Sequence, residues 1–211
     1  MQNNLSFINV PQMQAFNDKV STEVDGIKPV EKPKVEFNSD EFDSYVASPE
    51  SLDDETIYDI ADIIDGKVHF NRNDELPFDK TAPNTIDRLD DAIAIAFVTK
   101  DGIPVAAGTL TDPTKENFKG IIPITHYELK SGMSLEGRMH QEFFSLSPEY
   151  KGMGISDELR NRLQNISDKM FTTVNVSDID TIEGLKNNGY KFISQFTTDW
   201  EKEPVQLWIF N

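Results

Sequence analysis

The alternation of apolar and polar positions predicts a sheet with helices from about residue 51 onward. Two apolar runs, residues 92–98 and 103–110, flank the turn Lys100-Asp101-Gly102 and predict a β-hairpin. Both faces of these runs are apolar, so we expect both faces of the sheet to be covered. Further strands are predicted at residues 121–129, 138–146, 171–176, 190–198 and 205–210.

Apolar residues at three- and four-residue intervals predict helices. The first helix follows Ser51 and Asp54, which suit a helix amino terminus, and its stripe consists of Ile57, Ile60, Ala61, Ile63 and Ile64. A short helical turn is expected at residues 85–89. A second helix has the stripe Ile155, Leu159, Leu163, Ile166 and Met170. A third is expected at residues 180–188, where Asn187-Asn188-Gly189 is a helix stop signal.

Residues 1–50 differ in composition from the rest and are interpreted as an extended polar and acidic arm. The prolines of residues 28–33 favour extended chain. Between Glu36 and Gly66 there are eleven acidic residues and no basic one, which is typical of a solvated acidic face. We expect the arm to dock on the body of the domain or on another chain. The predicted division is therefore an arm at 1–50 and a folded domain at 51–211.

Composition and charge exclude several classes of protein. The chain has 211 residues, no cysteine and a net charge of −17, from 20 Lys plus Arg against 37 Asp plus Glu. Cysteine chemistry is excluded, and the acidic excess disfavours nucleic acid and anionic membranes as partners. No segment resembles a membrane span or an export signal, so we expect a cytoplasmic protein. No metal site is predicted, because His69, His126 and His140 are scattered.

Residues 146–159 carry the most informative motif, between a predicted buried strand and an amphipathic helix. Pro148 ends the strand, and Gly152 and Gly154 permit positive φ angles. Ser156 is expected to cap the helix. Successive main-chain N–H groups at a helix amino terminus form an anion cradle, to which Lys151 adds a positive charge. The alternative is an ordinary tight connection, because Gly-x-Gly spacing alone is common.

This stretch resembles the acetyl-coenzyme A signature of the GCN5-related N-acetyltransferase (GNAT) superfamily. Lys151, Gly154 and Ser156 occupy its three positions, where the family has Arg or Gln, Gly, and Gly or Ala. The strand end at 146–150 and the pair Gly189-Tyr190 also look like the family pattern. The resemblance covers residues 91–211 and implies a GNAT-like α/β fold, with a mixed, mostly antiparallel sheet flanked by helices. Two splayed strands, ending near residue 146 and beginning near residue 171, would form a slot for pantetheine.

The resemblance also implies which residues bind acetyl-coenzyme A (acetyl-CoA). Main-chain groups of Phe144 and Leu146 would align pantetheine. The pyrophosphate would be held by Lys151, Gly152, Met153, Gly154, Ile155 and Ser156. Lys in place of Arg keeps a cation but loses the planar donor fork. Asp157 and Glu158 stabilise the helix end, and they also compete with an anionic ligand.

Glu142 and His140 lie where members of the family often carry the general base. Strand alternation predicts one face with Arg138, His140, Glu142 and Phe144, and the other with Met139, Gln141 and Phe143. The alternatives are structural: Glu142 would pair with Arg138 or another basic neighbour, and His140 would be a core histidine.

The family's general acid is missing from its usual place. Leu185 stands where many members have a tyrosine, and Asp178 stands where they have an asparagine. Tyr190 is the nearest phenol in sequence, and we expect it to pack in the core.

Two hypotheses about function are open. The first is an N-acetyltransferase that moves an acetyl group from acetyl-CoA to an amine of a small molecule or protein. The second is a catalytically silent GNAT-like module that binds a protein partner, or a second copy of the chain, through its amino-terminal arm. The acceptor is not predicted, because the loops expected to border it, at residues 71–87 and 112–134, carry no recognisable motif.

Overall fold

The computed structural model describes residues 36–67, 85–114, 124–197 and 204–211. Most of the predicted arm and large parts of the two expected acceptor loops therefore lie outside the described residues. Within these ranges, none of the helices has the length and apolar character of a membrane span.

Seven described strands form one sheet in the order β1-β2-β3-β4-β5-β7-β6. Their bounds are β1 Asp43–Ala47, β2 Ala92–Lys100, β3 Ile103–Thr111, β4 Met139–Leu146, β5 Met170–Asn175, β6 Lys191–Phe196 and β7 Val205–Phe210. Every neighbouring pair is antiparallel except β4 and β5, which are parallel. The predicted hairpin is β2 and β3, joined at Asp101 and Gly102, which both have positive φ.

Five described helices flank the sheet: α1 Asp54–Lys67, α2 Thr85–Asp90, α3 Ile124–Ser131, α4 Ile155–Gln164 and α5 Ile179–Asn187. The first and last confirm the predicted helices; α5 ends at Asn187, and Gly189, two residues later, has a φ of +81°. Single 3-10 turns occupy Pro49–Ser51 and Pro148–Tyr150.

Apolar side chains cover both faces of the sheet, as the sequence predicts. On one face, α4 and α5 pack on the strands through residues that include Leu159, Leu163 and Leu185, all at most 1% exposed. On the other face, α1 and α2 bury Ile60, Ile64 and Leu89 against β2 and β3, and α3 buries Tyr127 against β5 and β7.

Two elements differ from the prediction. The strand expected at residues 121–129 is wrong, because residues from Ile124 onward form α3. Only one stripe of this segment is covered: Tyr127 is buried and Ile124 partly so, whereas Leu129 is 81% exposed. The stripe predicted for the second helix also extends too far. The helix ends at Gln164, and Met170 already belongs to β5.

The described end of the predicted arm is part of the sheet. Residues 43–47 form β1, which pairs antiparallel with β2, and the Tyr45 ring stacks on Phe97 with centroids 5.1 Å apart. Phe42, just before β1, is buried in the core under α4. Because residues 1–35 lie outside the description, the division into arm and domain stays a prediction.

Candidate functional site

The sheet opens between β4 and β5. These strands pair only at Met139 with Met170 and at His140 with Phe171. Beyond that point β4 pairs with β3, while β5 pairs with β7 along its whole length. The edge of β4 that faces β5 is therefore without a strand partner in the described sheet, and a wedge lies between the two strands. This confirms the predicted splay.

A β-bulge in β4 determines which side chains border the wedge. The register with β3 shifts between the pair Gly108 and Phe144 and the pair Leu110 and Gln141, so β4 has one residue more than β3 in this interval. The N–H of Phe143 donates instead to a side chain, Thr109 Oγ1, at 3.2 Å.

The bulge reverses the alternation that the sequence predicts for β4. Phe143 packs in the core under α1 and α2, where Glu142 also contacts α2. Phe144 packs on the opposite face, under α4. The expectation that Phe144 shares a face with His140 and Glu142 is therefore wrong, because an extra residue moves every later side chain to the other face.

The main-chain groups of Phe144 and Leu146 face the wedge. The N–H of Ser147 donates to the Val105 carbonyl on β3 at 2.9 Å, and successive strand residues direct their main-chain groups to opposite sides. Ser145 therefore faces β3, and its two neighbours face the open side. An extended ligand with amide groups can pair with such an edge as another strand would.

The loop after β4 leads into α4 through two glycines in the left-handed region. Gly152 has φ +81° and Gly154 has φ +75°. Gly154 is also the N-cap of α4, so the expectation that Ser156 caps the helix is wrong; Ser156 lies in its first turn. The first main-chain hydrogen bond of the helix runs from the Glu158 N–H to the Gly154 carbonyl. The N–H groups of Ile155 and Ser156, which precede it, therefore have no acceptor within the helix.

The two acidic residues of this turn are engaged elsewhere. Asp157 Oδ1 accepts from Asn188 Nδ2 at 2.7 Å, and Glu158 Oε1 accepts from Arg162 Nε at 2.7 Å. Lys151 and Gly152 are exposed, and a Cβ at Gly152 would meet no atom within 4 Å. The loop thus combines open space, unpaired helix amides and one cation, which fits a diphosphate.

Glu142 forms an ion pair inside the domain. Its carboxylate accepts from Arg88 Nη2 of α2, and both side chains are at most 10% exposed. The Arg88 guanidinium also lies over the Phe143 ring, with Cζ 4.3 Å from the centroid. The structural alternative for Glu142, pairing with a basic neighbour, is therefore present, although the partner is Arg88. The predicted partner, Arg138, instead donates to the Phe210 carbonyl and Asn211.

His140 is a buried histidine beside this ion pair. Its ring stacks on Phe171 with centroids 4.5 Å apart and an interplanar angle of 5°. Burial lowers the pKa of His140 to about 4, the negative charge of Glu142 opposes this, and the positive charge of Arg88 adds to it. The imidazole is therefore neutral at pH 7.

The residues at the family's acid positions are structural. Leu185 is 1% exposed, and the Asp178 side chain caps α5 by accepting from the Thr181 N–H at 3.1 Å. The hydroxyl of Tyr190 donates to Gln141 Oε1 at 2.6 Å inside the core, and burial raises its pKa. The expectation that Tyr190 packs in the core is confirmed.

Sequence analysis missed two buried cations, Arg88 and Arg160. Arg88 meets Glu142, which is 54 positions away, so no local pattern links them. Arg160 follows Leu159 on α4 and is 2% exposed. The described residues hold no group of three His, Asp or Glu side chains suited to a metal ion.

Comparison with known proteins identifies the fold. No protein-family model matches the chain, and no curated protein matches it. Solved structures do match. An acyl-CoA N-acyltransferase from Pseudomonas aeruginosa is 12% identical, with a TM-score of 0.54, over 81% of this chain and 99% of its own. Naa50 from Arabidopsis thaliana, in complex with the bisubstrate analogue CoA-Ac-MVNAL, is 13% identical, with a TM-score of 0.51, over 80% and 98%.

A GNAT-family protein from Desulfovibrio desulfuricans is 8% identical, with a TM-score of 0.51, over 81% of this chain and 98% of its own. At such low identity these matches establish the fold alone. The chain has the GNAT fold, so the predicted fold class is confirmed: a mixed, mostly antiparallel sheet flanked by helices.

Proposed function

We propose that this protein transfers an acetyl group from acetyl-CoA to an amine. The observation that carries the proposal is the junction of two features at the end of β4: a strand edge open toward β5 and, directly after it, a glycine loop that begins α4. The first suits the amides of pantetheine and the second suits a diphosphate. One solved structure of the same fold, Naa50 from Arabidopsis thaliana, contains a CoA bisubstrate analogue, which supports the choice of cofactor.

In this proposal the main-chain groups of Phe144 and Leu146 align the pantetheine arm. The loop and first helical residues hold the pyrophosphate: Lys151, Gly152, Met153, Gly154, Ile155 and Ser156. Acetyl-CoA supplies the activated acyl group as a thioester. The amine nitrogen bonds to the acetyl carbonyl carbon, the carbon–sulfur bond breaks, the amine loses a proton and the sulfur gains one.

Glu142 is proposed as the general base. One of its oxygens is held by Arg88, which fixes the carboxylate beside the bulge, so a proton would reach it directly or through one water. His140 is the second candidate. Burial lowers its pKa to about 4, so the imidazole is neutral and can accept a proton at pH 7, although it holds that proton weakly.

Calorimetric titration with acetyl-CoA tests the cofactor site. Gly152→Asp places a carboxylate in the loop, and we expect it to weaken binding at least tenfold. Gly102→Asp is the matched control, since Gly102 has φ +82° and, like Gly152, no atom within 4 Å of a Cβ. We expect the control to bind as the wild type does. No heat from the wild type at millimolar acetyl-CoA would refute the proposed cofactor.

Release of CoA thiol in the presence of a panel of amines tests the reaction. We expect Glu142→Gln to slow turnover about 100-fold or more while leaving cofactor affinity unchanged. Glu55→Gln, on the exposed first turn of α1, is the control that should keep full activity. Small amines and peptide amines belong in the panel.

We also retain the predicted cytoplasmic location and the expectation of no nucleic-acid partner.

The silent interaction module is the second candidate. The engaged state of Glu142 and the buried Leu185 at the family's acid position favour it. This hypothesis predicts no turnover on any amine, whether or not acetyl-CoA binds. Deletion of residues 1–35 spares β1 and Phe42, and on this hypothesis it would abolish self-association or partner binding. A truncated protein with an unchanged oligomeric state and unchanged partner binding would count against it.

A further inference from the structure

Arg160 is a cation buried between β4 and α5. It lies in the second turn of α4, is 2% exposed, and its Cζ is 4.3 Å from the centroid of the Phe144 ring. On the opposite side α5 has Gly184, where a Cβ would lie 2.8–2.9 Å from the guanidinium atoms. A larger residue at position 184 would displace this side chain, so α5 is shaped to accept it.

The guanidinium has few partners for a buried group with five N–H donors. Its Nη1 donates to the Ser156 carbonyl at a long 3.4 Å and lies 3.7 Å from Asp157 Oδ1. Its Nε is buried and has no hydrogen-bond partner among the described residues. Burial is the main cause that lowers the pKa of Arg160. Buried donors in proteins are almost always satisfied, so the unpaired Nε is a candidate contact for a water or for another molecule.

The position of Arg160 relates this donor to the wedge. The side chain lies over Phe144, whose main-chain groups face the open edge of β4. The guanidinium also reaches back to the Ser156 carbonyl and toward Asp157, so it lies between the first turn of α4 and the ring of Phe144. The proposed pantetheine arm follows the edge of β4 at Phe144, so its amide carbonyls are the acceptors expected beside this ring.

We propose that the guanidinium of Arg160 binds an amide carbonyl of the pantetheine arm and so helps to select CoA over its nucleotide portion alone. This role rests on the proposed function. The proposed contact gives a reason for a charged side chain at a buried position, where an apolar side chain would otherwise be expected.

The test compares the wild type with Arg160→Met and Arg160→Lys in calorimetric titrations with CoA and with adenosine 3′-phosphate 5′-diphosphate, which keeps both phosphates of the pyrophosphate and lacks pantetheine. Methionine fits the same channel between Phe144 and Gly184 and buries no charge, and lysine keeps the charge but loses the planar fork. We expect both variants to bind CoA about tenfold more weakly and the adenosine 3′-phosphate 5′-diphosphate as the wild type does. The melting temperature of unliganded Arg160→Met should be equal to or higher than that of the wild type.

Three outcomes would overturn this role while leaving the cofactor proposal intact. The first is equal CoA affinity in the wild type and Arg160→Met. The second is tighter CoA binding in Arg160→Met, which would identify the guanidinium as an obstruction. The third is an equal loss of affinity for adenosine 3′-phosphate 5′-diphosphate, which would identify a contact with the diphosphate or, together with a lower melting temperature, a structural role. Absence of CoA binding by the wild type would overturn both proposals.

Discussion

His140 makes the stability of the domain depend on pH in a defined direction. In the folded protein, burial lowers the pKa of this histidine from 6.5 to about 4. In the unfolded chain the value returns to about 6.5, so between these two pH values the unfolded state binds a proton that the folded state does not. The stability that the neutral His140 contributes is therefore fully present above about pH 6.5. It decreases as the pH falls and is lost below about pH 4.

The size of this effect follows from the two pKa values. Each pH unit between them changes the free energy of unfolding by about 1.4 kcal/mol, so the whole interval amounts to about 3 to 4 kcal/mol, an order-of-magnitude value. His140→Phe keeps a ring to stack on Phe171, and His140→Gln keeps a polar group; neither side chain titrates. Both should remove the same pH dependence, although their stabilities at pH 7.5 will differ.

Urea denaturation at half-unit steps from pH 7.5 to pH 4.5 measures the difference. Carboxylates titrate in the lower part of this range in all three proteins, so only the gap between wild type and variant reports on His140. We expect each variant to gain about 2 to 3 kcal/mol relative to the wild type as the pH falls from 7 to 4.5. A gap that does not change with pH would show that the folded state accommodates the imidazolium, and it would refute the reasoning.

Three further predictions concern packing. Arg88→Met leaves the Glu142 carboxylate buried without its cation and should lower the free energy of unfolding by about 3 kcal/mol. The double variant Arg88→Met with Glu142→Gln should recover part of this loss. A double-mutant cycle in urea measures the coupling, and additive effects of the two substitutions would contradict the ion pair. Gly108→Ala places a Cβ 3.3 Å from the Phe143 carbonyl oxygen beside the bulge and should lower the free energy of unfolding by about 1 to 3 kcal/mol. The measurement is the melting temperature, and an unchanged value would show that β4 can shift to make room. Gly189→Ala forces alanine to φ +81° after α5 and should cost about 1 kcal/mol in the same assay, whereas no loss would mean that the turn relaxes.

Local signals in the sequence predict most of the elements but not their long-range contacts. The hairpin at residues 92–110, α1 and α5 each have their own periodicity and end signals, and all three are present. The loop at Gly152 and Gly154 is predicted because left-handed backbone needs glycine at those positions.

The remaining features depend on tertiary packing. The segment at Ile124 becomes α3 because the sheet covers only one stripe of it, and β propensity yields to that context. The bulge near Phe143 has no compositional mark, so the face of every later residue in β4 is unpredictable from alternation. The partner of Glu142 comes from α2, which no spacing rule links to β4.

The short parallel junction also bears on how the domain opens. Strands β1 to β4 lie within residues 43–146, and strands β5 to β7 lie within residues 170–210, so each half of the sheet is built from a continuous piece of chain. In the described part of the sheet, strand pairing joins the two halves at two residue pairs. Amide protons of β5 to β7 can therefore exchange with solvent by a partial opening that leaves the first four strands intact. A molecule that bridges the two halves would slow this exchange along their common border.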